Sequence, residues 1–362
     1  MYRDFLNQNS IQRYRILENR DLLKGLRCNR NERVEYWEEE FIKELSSGLS
    51  AIDHTVYPDL TNLYAAISEH ESIPQENLLV GSGIDGIIKN IFENYSKPKM
   101  NVGILSPTYA MYYVYGKLFD TNIKHIKYNL DNFSLNKSDL FNSIEEIKLL
   151  FIPNPNQPVE DNLDNNFLKK VASKCLENDV LLVIDEAYFG FGCSTAKSLL
   201  SDYPNLLIMR TFSKAFGMPS IRVGYMMGEK LLINLLSQKR VSYETTQYSA
   251  HIAINLLKNF KYIEKYNNSI SKSREMIAKD IEAMGYRVNG SKANYILIDC
   301  FNEFNKKDIA SKFLKRKIYI KDSLDLWGFD DIYNGETNKF LLITTGPYNM
   351  MKPVLEILHD AK

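Results

Sequence analysis

Between residues 77 and 227 the chain repeats one pattern: a short, largely apolar run, a polar turn, then a helical stretch. The runs are Asn77-Leu-Leu-Val80, Val102-Gly-Ile-Leu105, Lys148-Leu-Leu-Phe-Ile152, Val180-Leu-Leu-Val-Ile184 and Asn205-Leu-Leu-Ile-Met209, and Ile221 to Met227 adds a further one. A strand with one wet face alternates apolar and polar residues. A continuous apolar run needs cover on both faces, which the strands of a parallel sheet have. Strands alternating with helices predict an α/β fold, a mainly parallel sheet between helix layers. Such sheets bind their ligands at the carboxyl ends of the strands.

The flanks read differently. Residues 1–34 are polar and arginine-rich, an arm rather than a core element. Helices are expected from Tyr36 to Leu45 and from Thr61 to His70, with the turn Tyr57-Pro-Asp59 between them. After Glu229 helical patterning continues to Met284. Asn294 to Ile298, Ile318 to Ile320 and Phe340 to Ile343 then read as strands of a smaller α+β domain, closed by a helix from Lys352 to His359. The expected division is a large α/β domain over 35–240 and a smaller unit made of 1–34 and 241–362.

The 45 basic and 45 acidic residues cancel, so no field marks a nucleic-acid or membrane partner. No apolar run reaches the length of a membrane helix. The four cysteines and five histidines are scattered with no metal-ligand spacing, which predicts reduced thiols in a cytoplasmic protein without a metal site.

Chemistry concentrates at the strand ends. The run 180–184 ends in Asp185-Glu-Ala-Tyr188; a carboxylate there needs a positive partner, such as a protonated ring nitrogen, or else serves as a helix N-cap. The run 205–209 leads into Thr211-Phe-Ser-Lys-Ala-Phe216, with Arg222 beyond. Phe212 and Phe216 dehydrate Lys214, which disfavours its ammonium form, and a neutral amine condenses with carbonyls. Thr211, Ser213 and Arg222 can hold a phosphate dianion. A carbonyl cofactor with a phosphate is what pyridoxal phosphate is, although this stretch alone reads as readily as a loop with a solvated lysine. Gly81-Ser-Gly-Ile-Asp-Gly86 between strand and helix matches a dinucleotide fingerprint. No acid stands at the end of the next strand, so a nicotinamide oxidoreductase ranks last, while a phosphate still suits the helix N-terminus. Tyr109, after the next strand, can stack on a planar ring or simply occupy a turn. Pro153-Asn-Pro-Asn-Gln-Pro158 is a turn set by prolines, with asparagine donors and acceptors.

In this order the motifs resemble those of fold-type I pyridoxal-phosphate enzymes, the class I/II aminotransferases, and most of all their histidinol-phosphate aminotransferase branch, which includes threonine-phosphate decarboxylases. The resemblance spans about Asn29 to Gly346. It implies that Lys214 is tied covalently to the cofactor. It gives Asp185 the ring nitrogen, Tyr188 the ring hydroxyl, Asn156 the ring oxygen and Tyr109 the ring face. The phosphate falls to Ser213 and Arg222, beside Thr211, and to the amides of Gly83, Ile84 and Asp85. Tyr57 matches a tyrosine that reaches the neighbouring subunit's cofactor phosphate, which implies a homodimer. Released from the cofactor, Lys214 is the base and then the acid of proton transfer.

One motif departs from the family's pattern. Where the resemblance leads one to expect Arg-Ile-Thr-x-Gly, gripping the substrate carboxylate, Leu342 precedes Ile343-Thr-Thr-Gly346, and Pro353 replaces a second arginine. A leucine cannot act as a bidentate clamp. Arg13, Arg15, Arg30, Arg33 and Lys321 are candidate substitutes. The expected reaction is amino transfer from an amino acid such as glutamate to a small, phosphorylated keto compound. The alternatives are decarboxylation of a phosphorylated amino acid and, lower, a cofactor-binding regulator without catalysis.

Overall fold

The computed structural model describes residues 25–161, 163–322 and 332–361; Arg13 and Arg15 lie outside them. Thirteen strands are present among these residues: β1 Leu26–Cys28, β2 Leu78–Gly81, β3 Asn101–Ser106, β4 Asn122–Asn129, β5 Ser134–Leu135, β6 Leu149–Pro153, β7 Leu181–Asp185, β8 Leu206–Thr211, β9 Gly224–Gly228, β10 Arg287–Asn289, β11 Tyr295–Asp299, β12 Ile318–Ile320 and β13 Phe340–Thr344.

Eight strands form one sheet in the order β2-β9-β8-β7-β6-β3-β4-β5. Pairs β3–β4, β3–β6, β6–β7 and β7–β8 are parallel. β9 is antiparallel to both neighbours, β8 and β2. The expected α/β architecture is therefore observed. Its physical basis is the alternation within each apolar run: Leu150, Ile152, Leu182, Ile184, Leu206 and Ile208 face one core. Leu149, Phe151, Leu181, Val183, Leu207 and Met209 face the other. Each such side chain contributes about 1.5–3 kcal/mol when fully buried, so every one-residue slip of register is costly.

Three details differ from expectation. The helix after β2 is Gly83–Tyr95 (α1), starting four residues early because the glycine loop is itself the first turn. Arg222 does not begin a strand; it sits just before β9 in the left-handed conformation, φ 52°. Part of the supposed arm is core: β1 pairs in parallel with β12, and Cys28 is fully buried. A further layer follows the main sheet. Ala250, Ala253 and Leu256 of the helix Gln247–Lys258 (α2) share the core of Leu63, Ile67 and the β7–β8 residues. The three-stranded sheet β10-β11-β13 carries Leu342.

The parallel register fixes where chemistry can occur. Pro153 is paired with Asp185, and Asp185 with Met209, so the carboxyl ends of β6, β7 and β8 share one edge. Chain order reverses direction beside β3, between β4 on one side and β6 on the other, and the crevice at such a reversal is where open sheets bind ligands.

Candidate active site

Asp185 ends β7 and is 3% exposed. Its Oδ2 accepts from the Tyr112 hydroxyl at 2.5 Å and its Oδ1 from the Ala187 N–H at 2.9 Å. Burial pushes its carboxyl up to about 6, against those two donors, and no cation lies within ion-pair distance among the described residues. Its neighbour Glu186 is the opposite case. Glu186 and Glu71 clamp the Arg210 guanidinium between them at 2.7 and 2.8 Å, and Tyr225 donates to Glu71. That network is complete in itself. Asp185 is a buried acid still lacking its positive partner, and a group left so is costly unless something else supplies the charge.

Lys214 follows β8 in a half-buried recess. Its Nζ donates to the Arg30 carbonyl at 2.8 Å and lies 6.0 Å from the Tyr188 ring centre. Desolvation lowers its ammonium to about 8, with Lys321 and Arg222 adding to the effect and Glu32 and Asp85 opposing it. A useful fraction of neutral amine therefore exists near neutral pH. The loop is gripped from the N-terminal side, where Trp37 Nε1 donates to the Gly217 carbonyl at 3.0 Å.

Beside it lies a cup for an anion. The first-turn amides of α1, at Gly83, Ile84 and Asp85, have no intrahelical acceptors and sit at the positive end of the helix. Thr211 Oγ1 and Ser213 Oγ are 3.0 Å apart, and Arg222 Nη1 reaches Ser213 Oγ at 3.4 Å. Arg222 Nη2 stands 3.7 Å from Asp85 Oδ2, while Tyr109 donates to Asp85 Oδ1 at 2.5 Å. Asp85 thus orients both the guanidinium and the tyrosine. Gly83 suits the turn: its φ is +69°, and a Cβ there would press on the Arg222 guanidinium, with Nη2 at 2.5 Å.

Lys214, Asp185, Tyr188, Tyr109, Gly83, Ile84, Asp85, Thr211, Ser213 and Arg222 are therefore gathered around one edge of the sheet. Asn156 is adjacent but committed. Its Nδ2 donates to the Pro107 and Val159 carbonyls at 2.9 and 2.7 Å, and its Oδ1 accepts from Thr108 at 2.6 Å. With both N–H groups in use it has none left for a cofactor oxygen; the amide of half-buried Gln157 next to it makes no such bonds. Tyr57 stands apart, 77% exposed, its ring stacked on Tyr243 at 4.7 Å.

Residues that sequence reasoning missed hold these groups from outside. Tyr112 could have been suspected only from sharing a helix face with Tyr109. Nothing in the sequence marks Asn31, whose Nδ2 donates to Tyr188 Oη at 2.7 Å. On the far side, Leu342 is fully buried in the apolar core, and its backbone pairs with Lys321 by bonds of 2.9 and 3.0 Å. Burial lowers the Lys321 ammonium to about 8. No carboxylate lies within ion-pair distance of it among the described residues.

The model of the aminotransferase class I and II family matches residues 29–325. A histidinol-phosphate aminotransferase of Methanocaldococcus jannaschii is 29% identical over 84% of this chain and 81% of its own length. One from Clostridium acetobutylicum is 32% identical over 72% and 76%. The crystal structure of the histidinol-phosphate aminotransferase of Sinorhizobium meliloti, in complex with pyridoxal-5'-phosphate, superposes with a TM-score of 0.81 over 93% of this chain and 90% of that one, at 21% identity.

Proposed function

Since the chain belongs to the class I and II aminotransferases, we propose that it uses pyridoxal phosphate to move an amino group from an amino acid, glutamate for instance, to a small phosphorylated keto compound. The observation that carries this reading is the pair at the ends of β7 and β8: a buried carboxylate without a cation, and an amine near neutrality.

The residues fit the cofactor. Asp185 needs a positive charge, which a protonated ring nitrogen supplies. The cup of Thr211, Ser213, Arg222 and the Gly83–Asp85 amides suits a phosphate, and a Cβ at Gly83 would close it. When bound, the cofactor supplies a carbonyl that captures amines and a ring that takes up an electron pair. Asp185 would keep the ring nitrogen protonated. Tyr188 would donate to the ring oxygen, and Gln157 would be a better amide donor for it than the committed Asn156. Tyr109, held by Asp85, would lie against the ring. Lys214 would be the residue to which the cofactor attaches, and as a free amine it would take the proton from the donor's α-carbon and, protonated, return it.

The chain's likeness to histidinol-phosphate aminotransferases supports a phosphorylated substrate. Lys321, beside Leu342, is a cation available to an anionic group of the substrate, carboxylate or phosphate, as a point charge rather than a fork. Tyr57, with the exposed Ile52, Val56, Val241, Tyr243 and Tyr248 around it, supports a homodimer in which Tyr57 reaches the other subunit's phosphate cup. The free cysteines are consistent with a cytoplasmic setting.

Incubation with pyridoxal phosphate should colour the protein, and adding glutamate should shift the band. A panel of keto acids, keto-alcohol phosphates and amino acid phosphates should then yield a new amine from one phosphorylated keto compound. A protein that stays colourless refutes the reading. Carbon dioxide release without an acceptor would reassign the reaction to decarboxylation.

A further inference from the structure

Asn31 is 4% exposed and adopts the left-handed conformation, φ 53°. Every polar group it has is engaged. Its N–H donates to Thr344 Oγ1 at 2.8 Å, and Thr344 Oγ1 donates back to Asn31 Oδ1 at 3.1 Å. Asn294 Nδ2 donates to its carbonyl at 3.1 Å. The remaining group, Nδ2, points at Tyr188 Oη, 2.7 Å away. In this orientation the Thr344 hydroxyl accepts from the Asn31 N–H and gives its own proton to the Asn31 oxygen, and the amide nitrogen faces the tyrosine.

We infer that Asn31 is a positioning residue that acts through Tyr188, aiming the phenolic proton into the site. A phenol can accept and donate at once. With Asn31 filling an acceptor position from behind, the Tyr188 O–H is left to donate forward. Hydrogen bonds in a chain polarise one another, so this donor is also a stronger one. The anchoring crosses the molecule: Asn31 lies just beyond β1, Thr344 ends β13 and Tyr188 follows β7. The left-handed backbone restricts position 31 to asparagine, aspartate or glycine at low cost. The inference rests on the proposed function, since the Tyr188 proton is aimed at the oxygen of the cofactor ring, and stabilising that oxygen as an anion keeps its Lys214 linkage unprotonated to lower pH.

The test is a pH titration of the visible absorbance of the cofactor-loaded protein. Asn31→Gly keeps the turn and removes the amide; its midpoint is expected about half a unit above that of the parent. Asn31→Asp turns a donor into an acceptor and should move the midpoint up further. Tyr188→Phe should move it by about one unit, and Asn31→Gly should add nothing in the Tyr188→Phe background, because the two act in series. An unchanged midpoint in Asn31→Gly, or equal shifts with and without the Tyr188 hydroxyl, overturns the inference even if thermal stability falls. A parent protein that forms no chromophore overturns the proposed function, and the inference with it.

Discussion

The two sides of the crevice are built in different ways. On the cofactor side, Asp185, Tyr188, Ser213 and Lys214 sit within a few residues of parallel strand ends, and adjacent strands bring them together. On the substrate side, Leu342 lies in the middle of β13, sealed in the core, and the available cation comes from Lys321 on a different segment. Among the described residues, Asp185 on the first side, buried, has no cation within ion-pair distance, and Lys321 on the second, half-buried, has no carboxylate within it. The difference shows that the two sides answer to different constraints. The sheet edge is dictated by topology, whereas the opposing surface can exchange a guanidinium fork for an ammonium without disturbing the strands.

The largest expected effect lies on the cofactor side. Lys214→Ala should lower kcat by roughly 10²–10⁴-fold through loss of the proton carrier, and should abolish the covalent visible band while leaving far-ultraviolet circular dichroism unchanged. Retained activity would break the comparison outright. Next is Asp185→Asn, expected to cost about 10²-fold in kcat. It should also stabilise the empty protein, and the sign is worked out thus. The Asp185 carboxyl is raised from 3.8 to about 6 on folding, so its proton is held more tightly in the native state. Stability is therefore lost as pH rises from about 4 to about 6, up to about 3 kcal/mol. Thermal melts of the empty protein should show Asp185→Asn ahead of the parent at pH 7 and level with it near pH 3.

Lys321→Ala tests the other side. It should raise KM for the phosphorylated substrate about 10–100-fold with a smaller change in kcat, and Lys321→Arg should restore most of the affinity. Because Lys321 loses its proton near pH 8, KM in the parent should climb as pH rises through about 8, and this climb should vanish in Lys321→Ala. A kcat loss without a KM change would move Lys321 out of the substrate site. The smallest effect is expected at the surface. Tyr57→Asp should weaken dimer formation about tenfold, read by sedimentation, with the fold intact.

The cofactor side was the more legible in sequence because its residues are local. An apolar run predicts a buried strand, the strand's end fixes a side chain's address, and Asp185-Glu-Ala-Tyr188 and Ser213-Lys214 need no distant information to be recognised. Arg222 was recognised as well, though its left-handed backbone was not. The strand β4, next to the short edge strand β5, escaped notice, since Asn122–Asn129 carries polar residues along its length. Asn156 and Gln157 show the limit within a motif: both are amides in one proline turn, and only the hydrogen bonds distinguish the committed one from the other.

The order of apolar runs and turns was enough to determine a mainly parallel sheet, its reactive edge, and a lysine and an acid upon it, because burial on two faces leaves such runs few alternatives. Only the tertiary structure decided that Asn31 backs Tyr188, that Tyr112 holds Asp185, and that Lys321 stands beside Leu342. Those pairs join residues 73 to 157 positions apart or meet across a strand bridge, and no local periodicity encodes which distant side chains a folded core will bring into contact.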